Sequence, residues 1–171
     1  MAEWDDPRYF DTGYSPDLEV TKLDLYRLLN QFLASKVLSE QCDADGELNH
    51  AMYTLDPFFE VEATRILLSS AVIARVMDDK HKDLHKYDTT CGVLIPNIEN
   101  PANTQKLDLR DACNKIIHAV TIKYDVEVEV HGMTQRYFNP HIYYYGTLGK
   151  KQWKAILNVV DYIKKYTDNV V

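Results

Sequence analysis

Residues 121–167, TIKYDVEVEVHGMTQRYFNPHIYYYGTLGKKQWKAILNVVDYIKKYT, hold the pattern on which the fold turns. The first part alternates. Ile122, Tyr124, Val126, Val128 and Val130 fall on one side of an extended chain, and Lys123, Asp125, Glu127 and Glu129 on the other. A period of two with one charged side predicts a strand half buried against a core. His131-Gly132-Met133 marks a turn. A second extended run follows near Arg136–Tyr145, and its Asn139-Pro140 predicts an edge position or a break, because proline donates nothing to a ladder. Gly146 and Gly149 then lead into a closing helix over about 150–167. Its stripe is Trp153, Ile156, Leu157, Val160 and Ile163, with Tyr166 near the end.

Upstream, the period is helical. Thr21 with Asp24 resembles a capping arrangement. Leu23, Tyr26, Leu29, Phe32, Leu33, Val37 and Leu38 then recur in steps of three and four, which predicts a helix over 21–41 with that stripe toward the core. The acidic CDADGEL stretch, 42–48, suits a turn. Asp56-Pro57 reads as a helix start, and the apolar run behind it predicts a central helix over 57–80. Residues 81–106 read as a long surface loop with a short strand at Gly92–Ile95. Residues 107–119 read as a third helix with Leu109, Ala112, Cys113, Ile116 and Val120 as core stripe. Residues 1–16 read as an irregular arm whose Trp4, Tyr9, Phe10 and Tyr14 dock on the body or a partner. The expected fold class is α+β and predominantly helical: a helix bundle with a small antiparallel β-hairpin and a C-terminal helix. It is one domain over 1–171, with the arm at 1–16, a helical body at 17–120 and the hairpin plus closing helix at 121–171.

Composition bounds the function. The 171 residues carry 26 acids and 19 Lys+Arg, a net charge of −7. Residues 1–60 hold 13 acids and 4 bases, while 121–171 hold 5 and 7. That balance argues against a duplex DNA binder, which needs a basic stripe. No apolar run approaches the roughly 20 residues that cross a bilayer. Cys42, Cys91 and Cys113 are odd in number, far apart and form no Cys-x-x-Cys pair, so neither a disulfide framework nor a zinc knuckle is expected. A cytoplasmic chain with reduced thiols and no membrane association is the expectation.

The candidate chemistry lies in the third helix. Arg110, Asn114 and His118 follow one another at intervals of four, along one flank beside the apolar stripe. A neutral imidazole can take the proton of a 2′-hydroxyl or return one to the leaving oxygen. A guanidinium fork can hold the phosphate and offset the charge built up in the transition state. An amide can orient either. The plainer reading makes Arg110 and Asn114 surface residues and leaves His118 at a helix end, where the macrodipole favours it.

Other groups offer chemistry of their own. Asp78, His81 and His85 share a helix face and could hold a divalent metal, although MDDKHKDLHK also reads as a solvated helix terminus. His141, Tyr143 and Tyr145 share one strand face, with Ile142 and Tyr144 on the other. Such a row can stack unpaired bases, and tyrosine is also simply a good strand residue. Neither a glycine-rich phosphate loop nor a nucleophile elbow is present, and no cofactor or metal site is expected.

An Arg, a polar residue and a His on a late helix of a small helical domain resemble the HEPN-domain proteins. That resemblance implies a metal-independent ribonuclease of a bacterial defence or toxin–antitoxin type, working as a homodimer on RNA. Arg110, Asn114 and His118 would be the catalytic set. The alternative is a non-catalytic protein-interaction module. A shared cleft at the three residues marks the enzyme; their dispersal, with a contiguous apolar patch elsewhere, marks the module.

Overall fold

The computed structural model describes residues 17–44, 49–81, 88–130 and 134–171, with side chains for all of these but 41–44, 49–56, 81, 127–130 and 134–136. The expected arm at 1–16, the turn at 131–133 and the His81 and His85 side chains lie outside the described residues. The elements are α1 (Leu18–Ala44), α2 (Asn49–His81), β1 (Thr90–Ile95), β2 (Gln105–Asp108), α3 (Leu109–Ile117), β3 (Thr121–Val130), β4 (Thr134–Leu148), β5 (Lys151–Asn158) and α4 (Val159–Asn169). The strands form one antiparallel sheet in the order β2-β1-β5-β4-β3.

A helix bundle with a small hairpin is therefore the wrong description. The architecture is α+β, with four described helices laid on a five-stranded sheet. Two stretches account for the difference. Residues 151–158 are a strand, although their large apolar side chains also satisfy a helical period. What decides is the small residue between them: Trp153, Ala155 and Leu157 are buried, while Lys154, Ile156 and Asn158 are half exposed. Gly149, at φ 61°, and Lys150 close a two-residue β4–β5 turn, with Leu148 opposite Lys151. The helix starts only after Asn158, whose side chain accepts from the Asp161 N–H (3.1 Å).

The second stretch is the expected loop at 81–106. Its apolar segment is β1, and β2 returns beside it, with Leu107 opposite Gly92 and Lys106 opposite Val93. Residues 107 and 108, expected to be helical, complete β2. Asp108 then caps α3 by accepting from the Asp111 N–H (2.7 Å). Two proline expectations also change. Pro57 lies inside α2 rather than at its start. Asn139-Pro140 neither ends β4 nor puts it at an edge. Tyr124 pairs with Ile142 but Val126 with Phe138, so the extra residues form a bulge that accommodates the missing donor.

Pairing sorts the sheet into two faces. Leu94, Leu107, Ile142, Tyr144, Trp153, Ala155 and Leu157 point to the helices and are buried. His141, Tyr143, Tyr145, Lys154 and Ile156 point away and stay half exposed. The core lies between this inner face and the helices. Tyr162 contacts Ser70 Oγ (2.9 Å), and the Tyr166 hydroxyl donates to the Ser70 carbonyl (3.0 Å), tying α4 to α2. Phe59 stacks on Phe138 at 4.1 Å, and the Tyr124 hydroxyl donates to the Glu60 carbonyl (2.9 Å), tying α2 to the β3–β4 end.

α1 presents the least expected face. It buries Thr21, Asp24, Leu25, Leu28, Phe32, Ser35 and Ser39 and exposes Leu23, Tyr26, Leu33, Val37 and Leu38. The predicted core stripe is thus mostly the outer face. The polar residues can go inward because they find partners there. Ser35 Oγ accepts the Phe138 N–H (2.8 Å), next to the bulge, and Asp24 accepts Arg65 of α2 (3.0 Å).

Candidate functional site

α3 is nine residues long, and it holds the three candidate residues at its beginning, middle and end. Arg110 lies in the first turn. Its Nε donates to Asp78 Oδ2 on α2 (2.7 Å), and Arg75 Nη1 donates to the same oxygen (2.9 Å). Arg75 Nη2 also reaches Asp79 (3.3 Å). Asp78 is 4% exposed at its side chain, so one buried carboxylate joins two helices through two guanidinium groups. The hydrogen bond to Asp78 is the main reason the Arg110 pKa is raised further, and its charge is held against a protein anion. Asn114 lies a turn later and is half buried. Its backbone carbonyl accepts the His118 N–H (3.0 Å), and His118 is the C-cap, exposed to solvent.

Eight residues of helix separate Arg110 from His118 by about 12 Å along the axis. A general base and a phosphate anchor must each come within about 3 Å of one reacting group. The arginine would have to span that gap, and it is turned toward α2 instead. Among the described residues, none of the hollows on the surface is seen to be lined by Arg110, Asn114 or His118. The sequence offers Asp78 as a metal-ligand candidate. Its two arginine partners give it a structural role, and the 32-residue separation from Arg110 left no local signal of the contact.

The open face of the sheet carries His141, Tyr143 and Tyr145 together, as the alternation implies. Lysines already lie over the rings: Lys154 is 4.6 Å from Tyr143 and 5.7 Å from Tyr145, and Lys123 is 5.6 Å from Tyr145. Partial burial, and next the Asp125 carboxylate, push the Tyr143 hydroxyl up, so it stays a neutral donor. A hollow of about 340 Å³ opens beside this row, between Ile98 and Thr121, Lys123, Tyr145 and Gln152. None of Arg110, Asn114 and His118 lines it.

A further feature lies on the helical side of the molecule. α1 and α2 run side by side, joined by Arg65–Asp24 and by the Phe32–Phe59 edge contact at 5.0 Å. On α1, Leu23, Tyr26, Leu33 and Val37 are spaced as in a heptad seam, with Asn30 in the remaining position. On α2, Phe58, Val61, Leu68 and Val72 are spaced likewise, with Arg65 in the remaining position. All eight apolar side chains are exposed: Tyr26, Leu33, Phe58 and Val61 by 65, 62, 67 and 68%, respectively. Val20 and Leu38 extend the patch. The charges in its middle are paired within the chain. The Arg65 fork holds both Glu62 oxygens (2.8 Å each), and Arg27 joins Asp24 (3.4 Å).

Cys91 and Cys113 are buried free thiols. Burial pushes both pKa values up, Cys113 to about 12, so neither is a thiolate near neutrality. Native protein should leave both unmodified by iodoacetamide, and urea should expose both together. Mass spectrometry of the alkylated peptides checks this; rapid native labelling of either would contradict their burial.

Among the described residues no cluster of His, Cys, Asp and Glu could hold a metal ion, and no helix is long and apolar enough to cross a membrane. No family model, curated protein or solved structure matches the chain.

Proposed function

We propose that this chain is a non-catalytic protein-interaction module of the cytoplasm, and that it works through the outward face of α1 and α2. One observation carries the reading. Ten apolar side chains, roughly half or more of each in water, stand on the outward faces of two neighbouring helices, where an ordinary monomer scatters its exposed apolar residues singly. Leaving that much apolar surface in water costs free energy unless a partner covers it. The buried free thiols fit a reducing compartment.

A metal-independent ribonuclease is the second reading. The solvent exposure of His118 and the four-residue steps from Arg110 through Asn114 favour it. It requires Arg110 to leave Asp78 and reach a phosphate about two helical turns from its Cα. RNA incubated with the protein in EDTA separates the two. The module reading expects no cleavage above buffer and no difference between wild type and His118→Ala. Chelator-resistant cleavage that His118→Ala abolishes would establish the ribonuclease and remove the module.

A further inference from the structure

We propose that the partner on this face is a second copy of the chain, the α1–α2 pair of one protomer packing against the α1–α2 pair of the other as a four-helix layer. The inference rests on the interaction-module reading and names its partner. Area is the first argument. A standard stable interface buries about 800 Å² per partner, and ten apolar side chains on two adjacent helices, each roughly half exposed, offer area of that order.

Spacing is the second. Both helices carry outward stripes in alternating steps of three and four, the pattern that interlocks helices at about 20° in bundles. A face made of two such helices meets its match in another face made the same way, and a two-fold axis supplies one from the same sequence.

Charge is the third. Across 17–40 and 57–80 there are eight acids and six bases, a net of −2, so neither an anionic lipid surface nor a nucleic acid is attracted. At the patch, Arg27 and Arg65 are held by the buried Asp24 beneath them, Arg65 also by Glu62, and Lys22 is paired with Glu19. Covering the patch therefore strands no unpaired charge, and the partner needs none of its own. What remains to be matched is apolar shape.

Sedimentation equilibrium of the full chain over a concentration series tests the inference. Wild type should sediment at twice the 19.8 kDa chain mass. Leu33→Glu with Val61→Glu should halve that mass. Both sites are already exposed, so its circular dichroism and thermal transition should remain those of a folded protein. Lys154→Glu, on the open sheet face, should leave the dimer intact. A monomeric wild type, or a dimer that survives the double substitution, overturns the proposal, whether another protein or another part of this chain covers the face instead. Failure of the underlying reading has a different signature: His118-dependent RNA cleavage would end the module reading with the measured mass unchanged.

Discussion

Gly92→Ala should destabilise the protein by about 3 kcal/mol, lowering the melting temperature by roughly 10 °C for a chain of this size. Gly92 lies in β1 between its two partner strands, opposite Leu157 of β5 and Leu107 of β2. A β-carbon built there falls 2.1 Å from the Ile156 carbonyl oxygen and 3.2 Å from a Leu107 methyl. The first contact is with backbone. It can be relieved only by moving β1 away from β5, and that opens the ladder in the middle of the sheet. Gly146 provides the comparison. A β-carbon there would lie 2.2 Å from the Trp153 ring, a contact with a side chain, which can give by rotating where a backbone carbonyl in the ladder cannot. Gly146→Ala should therefore cost less than Gly92→Ala. Thermal and urea unfolding of both variants check the order. Equal or reversed losses would mean that β1 and β5 are not in the register that brings Gly92 against Ile156.

The same ladder shows what the sequence could and could not reveal. β3 was legible because Ile122, Tyr124 and Val126 alternate with Lys123 and Asp125, so the period of two is visible without knowledge of its neighbours. β5 was not, because Ala155 fills an inward position with a methyl group. Against Tyr144 a small residue suffices, and that pairing spans 11 residues of sequence. The faces of α1 were misassigned for a related reason. Core and interface both select leucine and valine at helical spacing, and hydrophobic periodicity locates an apolar stripe without saying which neighbour covers it. The inward face is recognisable only through contacts made elsewhere, from Ser35 to a bulged strand and from Asp24 to Arg65. Arg110 and Asn114 lie a turn apart on α3, and His118 caps its end. What the spacing could not show was that Arg110 already has a partner on α2.

That partner is the basis of the second large expected effect. Asp78→Ala should cost about 2–3 kcal/mol. The carboxylate is buried and accepts charge-assisted bonds from Arg75 and Arg110 at 2.9 and 2.7 Å. Removing it leaves two guanidinium groups facing each other across a space with no anion. The loss falls short of that for a fully buried pair because the arginine side chains are 20 and 33% exposed and recover part of their hydration, and because Arg75 keeps Asp79. Arg110→Ala should cost less, about 1 kcal/mol, since Asp78 retains Arg75. If the α2–α3 contact accounts for Arg110, the two substitutions are not additive, and the double-mutant cycle should return a coupling of about 1 kcal/mol. Molar salt should weaken the coupling only in part, because Asp78 is buried while the Arg110 side chain is 33% exposed. Urea unfolding of the four proteins measures it. A coupling near zero, with Arg110→Ala as stable as wild type, would mean that the guanidinium is not committed to α2. It would then be available to a phosphate, and the ribonuclease reading would gain the anchor that its geometry now lacks.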